Sequence, residues 1–233
     1  MPFDLSRVGK GPGLLIVEGN AERLRRERHT QLSEYVVKLT RQQVEAGSLR
    51  LMRQRIRNGD ELESAKAMAH YSKYPAAMIV AHGGPFGVEV APDITMSWAD
   101  VADAIAPTQP RYLLAVACFG GVSMATDTLF DRIPSLERIV GSPAPLTVAQ
   151  ARAAVFELTF AAYGTRLPAE LSYLVNMINA MSTNGVLYTR TRDGRNTSSS
   201  SDRAVQDLLG LGAWALLQSG LLRDDDELVP EEE

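Results

Sequence analysis

The sequence predicts an α/β protein whose mainly parallel sheet lies between two layers of helices. Three observations carry this expectation. Short, almost wholly apolar runs recur along the first two thirds of the chain, as strands buried on both faces require. Amphipathic segments long enough for crossover helices separate them. Several runs end in glycine-rich segments, where the chain turns at a sheet edge.

The elements follow in order. Leu14-Leu15-Ile16-Val17, bounded by Gly13 and Gly19, reads as the first buried strand. Asn20 can cap a helix over residues 21–46, with Leu24, Leu32, Tyr35, Val36 and Leu39 at helical spacing and Gly47 at its end. Residues 49–56 alternate apolar and basic side chains, which suits a strand with one wet face near a sheet edge. Asn58-Gly59 reads as a turn, and Asp60 can cap a helix running to Tyr74. Ala77-Met78-Ile79-Val80-Ala81 is the next buried strand, ending in His82-Gly83-Gly84, and Val88 and Val90 around Glu89 suggest a small strand or hairpin. Ser97 can cap a helix to Ala106 with Trp98, Val101 and Ile105 on one face. Residues 111–117 form another buried strand that ends in Cys118-Phe119-Gly120-Gly121, and residues 123–130 read as a helix. Residues 136–140 give a further strand ending in Gly141-Ser142-Pro143, and Thr147 can cap a helix to Tyr163. Beyond this, residues 170–181 and 204–222 read as helices and residues 186–188 as a strand. Residues 189–203, with four consecutive serines, read as a mobile polar loop. We therefore expect one domain over residues 1–223, with its core at 12–165 and a helical extension at 166–223, followed by an acidic disordered tail at 224–233.

Composition narrows the function. The 233 residues include one cysteine, so no internal disulfide is possible. Three histidines (His29, His70, His82) argue against a structural zinc site, and no metal or cofactor is expected. The chain lacks an apolar run long enough for a membrane span and opens without a secretory pattern, so the expected compartment is the reducing cytoplasm. The net charge of −4 conceals seven acids in the tail and a local +6 over residues 1–57. That basic segment has few aromatic residues and no recognition motif, which argues against nucleic acid as a partner.

Parallel α/β sheets bind ligands beyond the carboxyl ends of their strands. His82 and Cys118 each follow a buried strand. If those strands are neighbours, imidazole and thiol meet in one crevice. A free thiol with a pKa of about 8.5 is mostly protonated at neutral pH, and a neighbouring imidazole can take that proton. Gly83-Gly84 and Gly120-Gly121 let backbone N–H groups approach a developing oxyanion, and a helix starting near Ser123 can favour the thiolate with its positive end. An esterase reading of His82-Gly83-Gly84 with Ser123 fails on chain order, because all three histidines precede that serine. A phosphate-loop reading fails because Gly9-Lys10-Gly11-Pro12-Gly13 precedes a strand instead of following one.

The blocks Ile79-Val80-Ala81-His82-Gly83-Gly84 and Leu113-Leu114-Ala115-Val116-Ala117-Cys118-Phe119-Gly120-Gly121 resemble those of the caspase-like (clan CD) cysteine peptidases. Gly141-Ser142-Pro143 and the Ala- and Phe-rich segment after it look most like the bacterial CHAT branch. The resemblance covers residues 12–165 and implies a caspase-like three-layer fold. It implies a cysteine endopeptidase with Cys118 as nucleophile, His82 as general base and acid, and the N–H groups of Gly83 and Cys118 as oxyanion hole. It further implies a protein or peptide substrate, a regulated role in bacterial defence or cell death, and an activating or inhibitory protein partner. The chain departs from many relatives in placing Phe119-Gly120-Gly121 after the cysteine and apolar Val116 and Ala117 before it, which leaves cleavage preference open. Glu18, Asn20 and Ser142 stand at strand ends where they could line a substrate pocket or serve as caps. The competing reading is a non-catalytic caspase-like module that binds a protein partner.

Overall fold

The structure is a computed structural model and describes residues 13–26, 31–47, 49–69, 73–143 and 188–192. A six-stranded sheet forms its centre. In chain order the strands are β1 (Gly13–Glu18), β2 (Arg50–Arg55), β3 (Ala76–Val80), β7 (Tyr112–Val116), β8 (Arg138–Gly141) and β9 (Tyr188–Thr191). In space the order is β2-β1-β3-β7-β8-β9, with the first five parallel and β9 antiparallel to β8. Between β3 and β7 a separate antiparallel sheet forms from β4 (Gly83–Gly84), β5 (Gly87–Ala91) and β6 (Ile94–Ser97). The helices are α1 (Ala21–Arg26), α2 (Gln31–Glu45), α3 (Gly59–Ala69), α4 (Trp98–Ile105) and α5 (Ser123–Arg132).

The period-2 alternation of buried strands supplies both layers. Leu14, Ile16, Met78, Val80, Leu114 and Val116 face one side, where Leu24 of α1 and Val36 of α2 pack. Leu15, Ala77, Ile79 and Leu113 face the other, against Leu62 of α3, Val101 and Ile105 of α4, and Leu129 of α5. Helices therefore cover both faces, as the sequence predicts. β2 is the edge strand, in keeping with its basic alternation: its residues are half-buried or exposed, whereas every residue of β3 and β7 is buried. The chain runs from β1 outward to β2, then crosses back over β1 to β3 and proceeds to β7 and β8. The reversal at β1 makes that strand a topological switch point.

Several boundaries differ from expectation. The helix expected over residues 21–46 comprises α1 and α2, and residues 27–30 lie outside the described residues. α3 starts at Gly59 because Asn58, not Asp60, is its cap: Asn58 Oδ1 accepts the Glu61 N–H at 2.9 Å. The hairpin suggested by Val88 and Val90 is a three-stranded sheet, completed by a turn in which Asp93 adopts φ 60°. The largest correction concerns the loop expected at 189–203. Its first residues belong to β9, which pairs with β8 from Tyr188↔Gly141 to Thr191↔Arg138. A ladder of backbone hydrogen bonds needs no apolar side chain on an edge strand, so polarity was a poor guide here. Arg192 anchors the end of β9 by donating to Leu136 O at 2.9 Å and Ile133 O at 2.6 Å, with its guanidinium over the Phe130 ring. The helices expected at 147–163, 170–181 and 204–222, and the acidic tail, lie outside the described residues.

Candidate active site

β3 and β7 are adjacent, in the register Ala76↔Tyr112 through Val80↔Val116. The hydrogen bond from Ala81 N–H to Val116 O at 3.2 Å carries this pairing one step past the strands. The same offset sets His82 level with Cys118. The two segments also touch at the next residue. A Cβ built on Gly83 would lie 2.4 Å from Cys118 O, 3.0 Å from Ala117 Cβ and 3.2 Å from Cys118 N. Only glycine lets the backbone after His82 lie this close to the backbone of Cys118.

The cysteine sits in a tight turn. Gly120 N–H donates to Ala117 O at 3.1 Å, and Phe119, third in the turn, adopts φ 63°. That is the type II pattern, whose third position favours glycine. Phenylalanine there stores strain, and its ring, 0% exposed in the core, holds the position. Gly121 N–H donates to Ser142 O at 2.8 Å, and Gly121 lies flush on Gly141 at the end of β8. Of residues 117–122, all are buried except Cys118, which is half-buried and outside any disulfide. His82, Gly83 and Gly84 are half-buried beside it. The turn thus presents the thiol-bearing residue at an opening otherwise sealed by core.

His82 is steadied from the second sheet. Glu89 N–H donates to His82 O at 2.9 Å, and Trp98 Nε1 donates to Gly84 O at 3.3 Å. The end of β1 is clamped to the same hairpin. Gly19 N–H donates to Val80 O at 2.9 Å and Asn20 N–H to Val90 O at 2.7 Å. Asn20, at φ 44°, donates its side-chain amide to Glu89, whose other oxygen accepts from Arg23 at 2.7 Å.

Glu18, Asn20 and Ser142 all lie at the carboxyl edge, at the end of β1, just past it and just past β8, and all are nearly inaccessible, at 0%, 3% and 0% exposure. Glu18 Oε1 accepts from Arg53 Nη2 at 2.6 Å and from Ser33 Oγ, and its Oε2 accepts from Arg55 Nε at 2.9 Å. Sequence reasoning did not find Arg53, Arg55, Arg23 or Glu89. The i,i+2 spacing of Arg53 and Arg55 places both on one face of β2, but only the parallel register with β1 brings that face to Glu18. Among the described residues no group of three or more His, Cys, Asp or Glu could hold a metal ion, and no helix is long and apolar enough to cross a membrane.

No family model matches the sequence, and no curated protein matches it. Comparison of shape is more informative. A mainly parallel sheet with helices on both faces matches an α/β caspase-like fold. The chain is similar to a secreted C11 cysteine protease from Bacteroides thetaiotaomicron, solved in complex with an irreversible peptide inhibitor. The TM-score is 0.53 and the identity 15%, over 78% of this chain and 67% of that one.

Proposed function

We propose that the protein is a cysteine endopeptidase acting through a Cys118–His82 dyad on protein or peptide substrates. The observation that carries this reading is the β3–β7 register, which sets His82 level with Cys118 while Gly83 presses on the cysteine backbone. His82 takes the thiol proton as Cys118 Sγ bonds to the scissile carbonyl carbon. The resulting oxyanion is met by the N–H groups of Gly83 and Cys118. Collapse breaks the C–N bond, the imidazolium returns its proton to the leaving amine, and a thioester remains. Water, deprotonated by His82, then hydrolyses the thioester and frees the thiol. Glu18, Asn20 and Ser142 serve this site by shaping its rim, since each is almost fully buried and Glu18 spends both oxygens on arginines. The resemblance to caspase-like peptidases, with its CHAT-like features, further suggests a regulated enzyme of bacterial defence that answers to a protein partner in the cytoplasm.

The test is thiol chemistry joined to proteolysis. Iodoacetamide should alkylate Cys118 faster in the folded protein than in urea, and His82→Ala should remove the excess. A quenched-fluorescent peptide library should be cleaved by wild type and not by Cys118→Ala. Alkylation no faster than in urea, indifferent to His82→Ala and with no cleavage, sinks the enzyme and leaves the non-catalytic binding module.

A further inference from the structure

We propose that Phe86 and Met124 form an apolar platform beside the Cys118–His82 site that receives a large apolar side chain of the substrate next to the scissile bond. This rests on the peptidase reading above and adds a substrate class to it.

Phe86 is 63% exposed and Met124 50% exposed, the two most exposed large apolar side chains among the described residues. Lone exposed apolar residues are common and need no explanation. These two sit on the direct continuations of the two site loops. Phe86 lies four residues beyond His82, in the two-residue turn with Pro85 that joins β4 to β5, with Gly84 paired to Gly87. Such turns favour polar residues and glycine, so an exposed aromatic ring is an unusual choice there. The turn is braced: Trp98 donates its indole N–H to Gly84 O at 3.3 Å and its backbone N–H to Phe86 O at 3.4 Å. The start of α4 is therefore at Phe86.

Met124 is the second residue of α5. α4 and α5 pack side by side and run in the same direction, since each connects adjacent parallel strands across the same face of the sheet. Their carboxyl-terminal ends are tied by Arg132 Nη1 and Asp103 Oδ2 at 2.7 Å. Their amino-terminal ends are then neighbours too. The topology thus puts Phe86 and Met124 at the same carboxyl edge of the sheet as Cys118. An aromatic ring fixed by a braced turn, beside a flexible thioether, suits a large apolar side chain of varied shape.

The experiment uses the full chain and quenched peptides differing only in one residue flanking the scissile bond: Gly, Asp, Lys, Leu or Phe. Wild type should cleave the Leu and Phe peptides with kcat/KM about tenfold or more above the Gly peptide. Phe86→Ala and Met124→Ala should each erase much of that preference through KM, with a smaller loss on the Gly peptide than on the Leu and Phe peptides. Equal rates across the set, or losses shared equally by all peptides, would overturn the platform while the peptidase stands. A second arm measures binding of the same peptides to Cys118→Ala by fluorescence anisotropy. Tighter binding of Leu and Phe peptides that Phe86→Ala abolishes supports the platform even if wild type cleaves nothing, and in that case only the reaction fails. No preference in this arm overturns the platform outright. Both side chains lie at the surface, so unchanged circular dichroism and Tm should accompany each variant.

Discussion

Replacing Gly83 with alanine places a methyl group 2.4 Å from the carbonyl oxygen of Cys118. Two of the three nearest atoms are backbone, so no side-chain rotation relieves the clash. Ordinary contact begins near 3.4 Å, so the hairpin after His82 must lift from the cysteine turn by about 1 Å. Two effects on stability then oppose each other. Among the described glycines only Gly47 has a positive φ, so alanine suits the backbone at 83 and restricts the unfolded chain, a gain of about 0.4–1 kcal/mol. Overpacking against a rigid neighbour costs about 1–3 kcal/mol, and that cost wins. Gly83→Ala should therefore lose about 1–2 kcal/mol in urea unfolding with an unchanged m value. The effect on function should be larger. A displacement of about 1 Å between reacting groups costs on the order of 100-fold, so kcat/KM and the fast alkylation of Cys118 should both fall to that extent. A Gly83→Ala protein as stable as wild type and as reactive at Cys118 would show that the hairpin does not press on the cysteine, and the argument for the dyad would go with it.

Glu18→Ala should destabilise by about 3 kcal/mol, because it strands the mostly buried Arg53, whereas Glu18→Gln keeps one of the two acceptor oxygens and should cost less; equal urea midpoints for both variants would contradict this. Arg192→Ala should lose about 1–2 kcal/mol with its two carbonyl hydrogen bonds and its place over Phe130, and Arg192→Lys should recover only part; hydrogen exchange at β9 reads the loss directly. Ser97 caps α4 and donates to the Asp100 carboxylate, which that hydrogen bond holds below the ordinary range. A lowered carboxyl stabilises above its unfolded value and loses that contribution as pH falls through the folded one. The Tm gap between wild type and Ser97→Ala should thus be widest near neutrality and narrow in acid; a gap that widens in acid would reverse the assignment.

The parallel core was legible because its signal is local. Ala77-Met78-Ile79-Val80 and Leu113-Leu114-Ala115-Val116 are short apolar runs that read as strands covered on both faces, and glycines mark where each turns out of the sheet. That same signal located His82 and Cys118. It could not show that their strands are neighbours, for which the pairing itself is needed. The second sheet was half-visible because β4 has two residues and β6 exposes three of its four, so neither forms an apolar run. A strand was expected at residues 186–188, but the extent of β9 over Tyr188–Thr191 was not legible, because its stability comes from backbone pairing and from one arginine reaching carbonyls 56 and 59 residues away in sequence. Glu18 was visible as a polar residue at a strand end. Which of the twelve cations in residues 1–57 would meet it follows only from the register of β1 on β2.

Strain in this molecule also has a direction. Four described non-glycine residues have positive φ: Asn20, Asp93, Gln109 and Phe119. Asp93 and Gln109 are exposed, in ordinary turns between elements. Asn20 tolerates the left-handed region as a residue type, which leaves Phe119 as the expensive one. A strained backbone of this kind costs on the order of 1–3 kcal/mol, comparable to the gain from burying a phenylalanine ring, about 1.5–3 kcal/mol. The ring therefore offsets a turn that glycine would make more cheaply. A glycine would also leave the turn unanchored, free to rotate the residue before it. With Phe119 locked in the core on one side and Gly83 pressed against the carbonyl on the other, Cys118 has its backbone fixed from two directions. A buried structural cysteine needs neither constraint. The nucleophile proposed at this position must meet one imidazole and one carbonyl carbon, and both constraints serve that.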